Sequence, residues 1–151
     1  MVDHSITDQE AIQLYSKYAV FCCPSIYEPF GITNLEAMAC KAPVVASATG
    51  GILEVVVHGE TGYLVSFDQD PVTKFPRNPE QFAKNLAERL NELIADPAKC
   101  TTFREAGRAR VKEKFAWSAV AEQTLALYSS LRYERLKSDA RGICNTSDSY
   151  C

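Results

Sequence analysis

Three short apolar runs constrain this chain more than anything else in it: AVFCCPS from Ala19, PVVAS from Pro43 and GYLVSF from Gly62. The first is continuous in apolarity rather than alternating and is ended by a proline, the second is another short β-branched run, and the third is a short strand pattern after a Gly-containing turn. A continuous run such as the first fits a strand buried on both faces better than a strand with one wet face. Between the first two lies TNLEAMACK, helical in propensity, and from Ile52 the run ILEVVVHGETGYLVSF gives a short helix and a Gly-containing turn before the third strand. Strand, turn, helix, strand is a βαβ unit, and repetition of that unit implies a parallel sheet with helices over its faces. The expected class is therefore α/β, with strands over 19–23, at PVVAS and near 62–66. Ligands on such sheets bind beyond the carboxyl ends of the strands, so the loop after the first strand is the place to look.

The flanking segments read as helices. Thr7 followed by Glu10 is a capping-box pattern, and a helix is expected over roughly 8–17. DQDPVTKFPRNPE carries three prolines in thirteen residues and reads as an extended surface connection, with Asn78 as the next cap and Pro79 at the first helical position. Phe82, Leu86, Leu90 and Leu93 then make one apolar stripe, with Glu88 and Glu92 on the solvated side. Further helices are expected from about 97 to 114 and over AWSAVAEQTLALYSSLRYERL, where Trp117, Ala121, Leu125 and Tyr128 share a face and Trp117 is assigned to core. The ordered domain is expected over 8–137, and 138–151, polar and aperiodic, is expected to be a disordered or atypical tail.

Several functions are excluded by composition. A net charge of −3 gives no basic face for nucleic acid or an anionic membrane, and no segment approaches the eighteen apolar residues of a membrane span. The N-terminus has no basic region followed by an apolar stretch, so a cytoplasmic protein is expected, and the match to a glycosylation acceptor at Asn145–Ser147 is set aside. The six cysteines, at 22, 23, 40, 100, 144 and 151, have neither C-x-x-C nor zinc-ligand spacing and read as free thiols. His4 is placed at a frayed end, His58 in a turn, and Glu54 and Glu60 at solvent.

Chemistry concentrates after the first strand, where the chain reads PSIYEPFGITNLE from Pro24. Gly31 falls at a helix N-terminus. The first N–H groups of a helix lack intrahelical partners and the dipole adds positive potential, so residues 31–34 suit a phosphate. Glu28 precedes that helix and Glu36 lies about a turn inside it, with seven residues between them. Carboxylates repel phosphate but accept from hydroxyls. Acid, amides, acid therefore matches the order hydroxyl, diphosphate, hydroxyl of a nucleotide sugar. Either glutamate alone is explained by the dipole or by a solvated turn; the pair with its loop points to the ligand. Gly50 and Gly51 fit a close approach to ligand and a plain tight turn about equally.

EPFGITNLE resembles the E-x7-E motif of retaining GT-B glycosyltransferases, in particular the glycogen synthase and sucrose-phosphate synthase group, and EAMACKAPVVASATGGILEVVVHGETGYLV resembles the segment C-terminal to that motif in the same group. The resemblance covers roughly residues 10–133, and DPVTKFPRNPEQFAKNLAERLNELIADP looks most like the actinobacterial-type glycogen synthases. It implies a Rossmann-like sheet forming part of the C-terminal, donor-binding domain of a GT-B fold, followed by C-terminal helices. It implies ADP-glucose or UDP-glucose as donor and a glucan or sugar-phosphate acceptor. By position, Glu28 is the catalytic glutamate near the donor sugar, Phe30, Gly31 and Ile32 offer backbone amides to that sugar, Thr33 faces the distal phosphate, and Glu36 accepts from the ribose hydroxyls. No cofactor or metal is required in that group.

One departure lies close to the motif: GGILEVV has Leu53 where the family commonly has proline. The resemblance further implies that the acceptor domain and the first half of the donor domain, with its basic diphosphate contacts, lie outside this chain, so that the isolated chain is inactive. An unpaired sheet edge and poor solubility are expected in consequence. A sugar-nucleotide epimerase of the same architecture and a noncatalytic nucleotide-sugar-binding module are the alternatives.

Overall fold

The computed structural model describes residues 6–144. Three strands, β1 (Phe21–Cys23), β2 (Val44–Ser47) and β3 (Gly62–Val65), pair in parallel in the order β1-β2-β3, with Phe21 opposite Val44 and Val44 opposite Gly62. The expected parallel α/β sheet is present. β1 starts at Phe21, so Ala19 and Val20 lead into it. Helices α1 (Asp8–Lys17), α2 (Ile32–Ala39) and α3 (Ile52–Val55) interleave with the strands, and α4 (Pro79–Ala95) and α5 (Pro97–Arg110) come after them. One compact unit ends at Glu113, and a second begins at Lys114 and holds α6 (Trp117–Cys144).

Every β2 residue is 0% exposed, which is why its run contains no polar alternation. Successive strand residues face opposite ways. Val45 joins Tyr63, Val65, Phe82, Leu86, Leu93 and Phe103 in one cluster, with the Tyr63 and Phe103 rings edge to face at 5.1 Å. Leu35, Ala37 and Met38 of α2 and Ile52 and Val55 of α3 are likewise buried. Burial of one such aliphatic side chain contributes about 1.5–3 kcal/mol, so the two-sided core outweighs any local helix preference.

Caps set the helix ends. Thr7 and Glu10 form the expected capping box, and Asn78 accepts from the Gln81 N–H at 3.0 Å ahead of Pro79. At the other end of the fold, Arg108 donates to the Ala39 carbonyl at 2.6 Å, and Arg110 to those of Val55 and Glu54 at 2.8 and 2.6 Å. These are orphan carbonyls at the ends of α2 and α3. α5 thus closes the end of the sheet where the strands begin, and the loops after the strands occupy the opposite end.

Three expectations require correction. Trp117, assigned to core, is 88% exposed. Its helical spacing defines a face, but no described residue buries it. The helix expected over 97–114 is α-helical only to Arg110, after which Val111–Phe115 form a π-helical turn. Glu92, expected to be simply solvated, accepts from Tyr63 Oη, Lys99 and Arg89 and is held there at a pKa of about 2, the Tyr63 hydroxyl being the largest cause. α6 itself runs on past Ser138 to Cys144, while His4, the Asn145–Ser147 triplet and the rest of the tail lie outside the described residues. Cys22, Cys23, Cys40 and Cys100 are free thiols. Among the described residues no helix is long and apolar enough to cross a membrane.

Candidate functional site

The loop from Pro24 to Gly31 leaves the carboxyl end of β1 and enters α2. Its carbonyls are taken up one after another by later segments. Ser47, at the end of β2, donates to the Ser25 carbonyl, with the Cys23 carbonyl 3.3 Å away. Gln69 Nε2 reaches the Ile26 carbonyl at 2.8 Å, and Thr49 Oγ1 lies 3.4 Å from the same oxygen. The Gly51 N–H donates to the Glu28 carbonyl at 2.9 Å. Backbone groups left unpaired in a loop cost free energy, so this lacing selects one conformation of it.

The two glycines after β2 are required by that lacing. Gly50 has φ +48°, and a Cβ there would stand 2.0 Å from the Glu28 carbonyl oxygen. A Cβ on Gly51 would stand 2.4 Å from Phe30 Cα and 2.6 Å from the Pro29 oxygen. Of the two readings left open by the sequence, neither is complete: the close approach is real, and the partner approached is the Glu28–Phe30 backbone. Leu53, the departure from the family's proline, donates its N–H to the Gly50 carbonyl at 3.3 Å, a bond proline cannot make.

Glu28 is half-buried. Its Oε1 accepts from the Gly31 N–H at 3.1 Å, and its Oε2 lies 3.5 Å from Ser25 Oγ. Gly31 caps α2 in the left-handed region at φ +91°, and its carbonyl accepts from Asn34 and Leu35 N–H at 3.0 and 3.4 Å. Ile32 and Thr33 N–H belong to the first turn and have no intrahelical acceptor. Both residues are exposed at the helix mouth, as is Phe30 at its rim. Behind them Asn34 is fully buried, and neither polar atom of its side chain has a partner among the described residues.

Glu36 is exposed on the same helix but engages a different element. Tyr15 Oη of α1 donates to Glu36 Oε2 at 3.2 Å. Burial, reinforced by that carboxylate, pushes the Tyr15 phenol pKa up, so the hydroxyl remains a donor across neutral pH. The two glutamates are therefore not hydrogen-bonded to each other; they flank the helix mouth with separate partners. Of the six residues singled out from the sequence, Glu28, Gly31, Ile32 and Thr33 meet at the mouth, Phe30 stands at its rim, and Glu36 lies toward α1. Sequence reasoning missed Ser47, Thr49, Gln69 and Tyr15. No local motif marks them, because each acts on a residue some twenty or more positions away in the chain.

A three-stranded parallel sheet with helices before, between and after its strands matches the Rossmann-like C-terminal domain of GT-B glycosyltransferases. The family model described as glycosyl transferases group 1 matches residues 4–110, and the chain belongs to that family. It is 48% identical over 116 residues to an alpha-maltose-1-phosphate synthase of Mycolicibacterium smegmatis, a match that covers 77% of this chain and 28% of that protein. Among solved structures, sucrose-phosphate synthase from Thermosynechococcus elongatus superimposes with a TM-score of 0.68 at 38% identity, covering 86% of this chain and 29% of that one. HepE from Anabaena in complex with UDP gives a TM-score of 0.64 at 30% identity, covering 78% of this chain and 29% of that one, and HepE has also been solved with UDP-glucose. The chain thus spans less than a third of the length of each of these relatives.

Proposed function

We propose that the Glu28 loop and the first turns of α2 are part of the nucleotide-sugar site of a retaining hexosyltransferase. The donor is ADP-glucose or UDP-glucose, the acceptor a glucan or a sugar phosphate, and the process glycogen or α-glucan synthesis. The observation that carries this reading is the helix mouth itself: the first-turn N–H groups of Ile32 and Thr33 lie between a laced-down Glu28 and an exposed Glu36, in a chain of this family. The relatives named maltose-1-phosphate and sucrose-phosphate synthase, and the UDP-glucose complex of HepE, support a glucosyl donor.

In this reading the diphosphate lies over the first turn of α2 at Thr33, where an N–H without an intrahelical acceptor and the helix dipole favour negative charge. Thr33 adds a hydroxyl to the distal phosphate. Phe30, Gly31 and Ile32 N–H face the donor sugar, Glu28 accepts from it, and Glu36 accepts from the ribose. Gly31 N–H is bonded to Glu28 Oε1 in this structure, so it serves a donor only when that carboxylate turns away toward the sugar. Charge grows on the nucleoside diphosphate as the glycosidic bond breaks. Fixed N–H donors in such a site are each worth about 3 kcal/mol in transition-state stabilisation when water is excluded. No metal is needed for that role.

Calorimetric titration of the 151-residue chain with ADP-glucose and UDP-glucose, with and without EDTA, tests the reading. Binding of one donor, unchanged by EDTA and weakened about tenfold or more by Glu36→Ala, is the expected result, since a lost hydrogen bond to a charged group costs roughly 1.5–3 kcal/mol. A folded chain that binds neither donor overturns it.

A further inference from the structure

The helix α1 buries no residue of its own, yet its Tyr15 reaches across to the second glutamate. Its ring stands edge-on to Phe21, the first residue of β1, at 5.4 Å and 79°. The phenol is thereby referenced to the sheet rather than to the exposed surface of α1. Its hydroxyl takes one oxygen of Glu36, Oε2, and none of the described residues donates to the other. The pair lines a groove of about 490 Å³ between α1 and α2, together with Ala11, Ile12, Ala39 and Cys40.

We propose that Tyr15 is a positioning residue for Glu36: it ties down Oε2 so that Oε1 is presented, in one rotamer, to the vicinal hydroxyls of a nucleotide ribose. This rests on the donor-site reading above and adds a residue to it. An exposed glutamate has three side-chain torsions to freeze on binding, and a neighbour that freezes them beforehand lowers the cost of binding. The raised phenol pKa is consistent with a permanently protonated donor. A tyrosine that served only to pack against Phe21 needs no hydroxyl, and its loss as Tyr15→Phe leaves the ring contact in place.

The experiment compares UDP-glucose and ADP-glucose with their 2′,3′-dideoxyribose forms, by calorimetry on the whole chain, in wild type, Tyr15→Phe, Glu36→Gln and the double variant. Tyr15→Phe is expected to weaken the ribose donor about 3- to 10-fold, the equivalent of ordering one flexible side chain. It should leave the dideoxy form unchanged, and should add nothing to Glu36→Gln in the double variant. An equal loss on both ligands, or no loss on the ribose donor while Glu36→Gln does lose affinity, overturns the role of Tyr15 and leaves the donor site standing. Glu36→Gln without effect on the ribose donor overturns the donor-site reading itself, and the Tyr15 role with it. Tyr15→Leu, which removes ring and hydroxyl together, supplies the control for packing: it is expected to lower the melting temperature, whereas Tyr15→Phe is not.

Discussion

The two sides of the α2 mouth are built by opposite means. On the Glu28 side, backbone carbonyls of Ser25, Ile26 and Glu28 are bonded from Ser47, Thr49, Gln69 and Gly51, and the carboxylate is bonded within three residues of itself. On the Glu36 side one phenol of an otherwise surface helix makes the contact. The first arrangement is over-determined, so deleting any one side chain leaves several ties. Its weakness is steric, because two glycines lie where no Cβ fits. The second has a single tie and no steric demand. One wall is thus held by many ties and the other by a single side-chain contact.

That contrast orders the expected effects. Gly50→Ala strikes the rigid wall: a Cβ 2.0 Å from the Glu28 oxygen, at positive φ, should cost about 3 kcal/mol or more and lower the melting temperature by roughly 10 °C. A melting curve that overlays the wild type would remove the close approach as a cause of the loop's shape. Glu28→Ala should lose about 1 kcal/mol in urea unfolding through the uncapped Gly31 N–H, while Glu36→Ala stays within about 0.5 kcal/mol. The reverse order would break the comparison. Asn34→Ala sits behind the rigid wall and removes a desolvated amide with no partner among the described residues. The few tenths to about 1 kcal/mol expected from cavity formation are then offset by a relieved penalty of about 1–3 kcal/mol, so stability should be unchanged or raised. A clear loss in chemical denaturation would mean that Asn34 has a partner after all.

The smallest effect lies away from both walls. Glu92 is depressed from 4.5 to about 2 by Tyr63, Lys99 and Arg89. Its folded pKa is below its unfolded one, so the stability it contributes is complete above about pH 4.5 and is lost as pH falls toward 2. The glutamate is partly exposed, which keeps the contribution modest. Acid titration of Glu92→Gln should show a flatter stability profile in that window, and identical slopes for the two proteins would deny the network any part in acid stability.

Much of this was legible in advance. The capping box at Thr7, the Asn78–Pro79 start of α4, the buried strand runs and the Gly31 helix mouth all arise from residues within a few positions of one another. Local rules sufficed because capping, buried-strand composition and helix termini are local chemistry. Glu92 was misjudged because its partners come from β3 and from α5 as well as from its own helix. Trp117 was misjudged for the converse reason: an apolar helix face states what can be buried, not that something is there to bury it.

From the chain alone came the order of strands and helices, the helix end at Gly31 and the pair of carboxylates on either side of it. Only the tertiary structure decided that Ser47, Thr49 and Gln69 lace the Glu28 loop, that Glu36 belongs to Tyr15, and that Gly50 and Gly51 are glycines for the sake of that loop. The division has one physical cause. Periodicity and capping act over a turn or a strand and can be read as pattern, whereas hydrogen bonds and steric contacts between distant segments exist only once the sheet has brought those segments together.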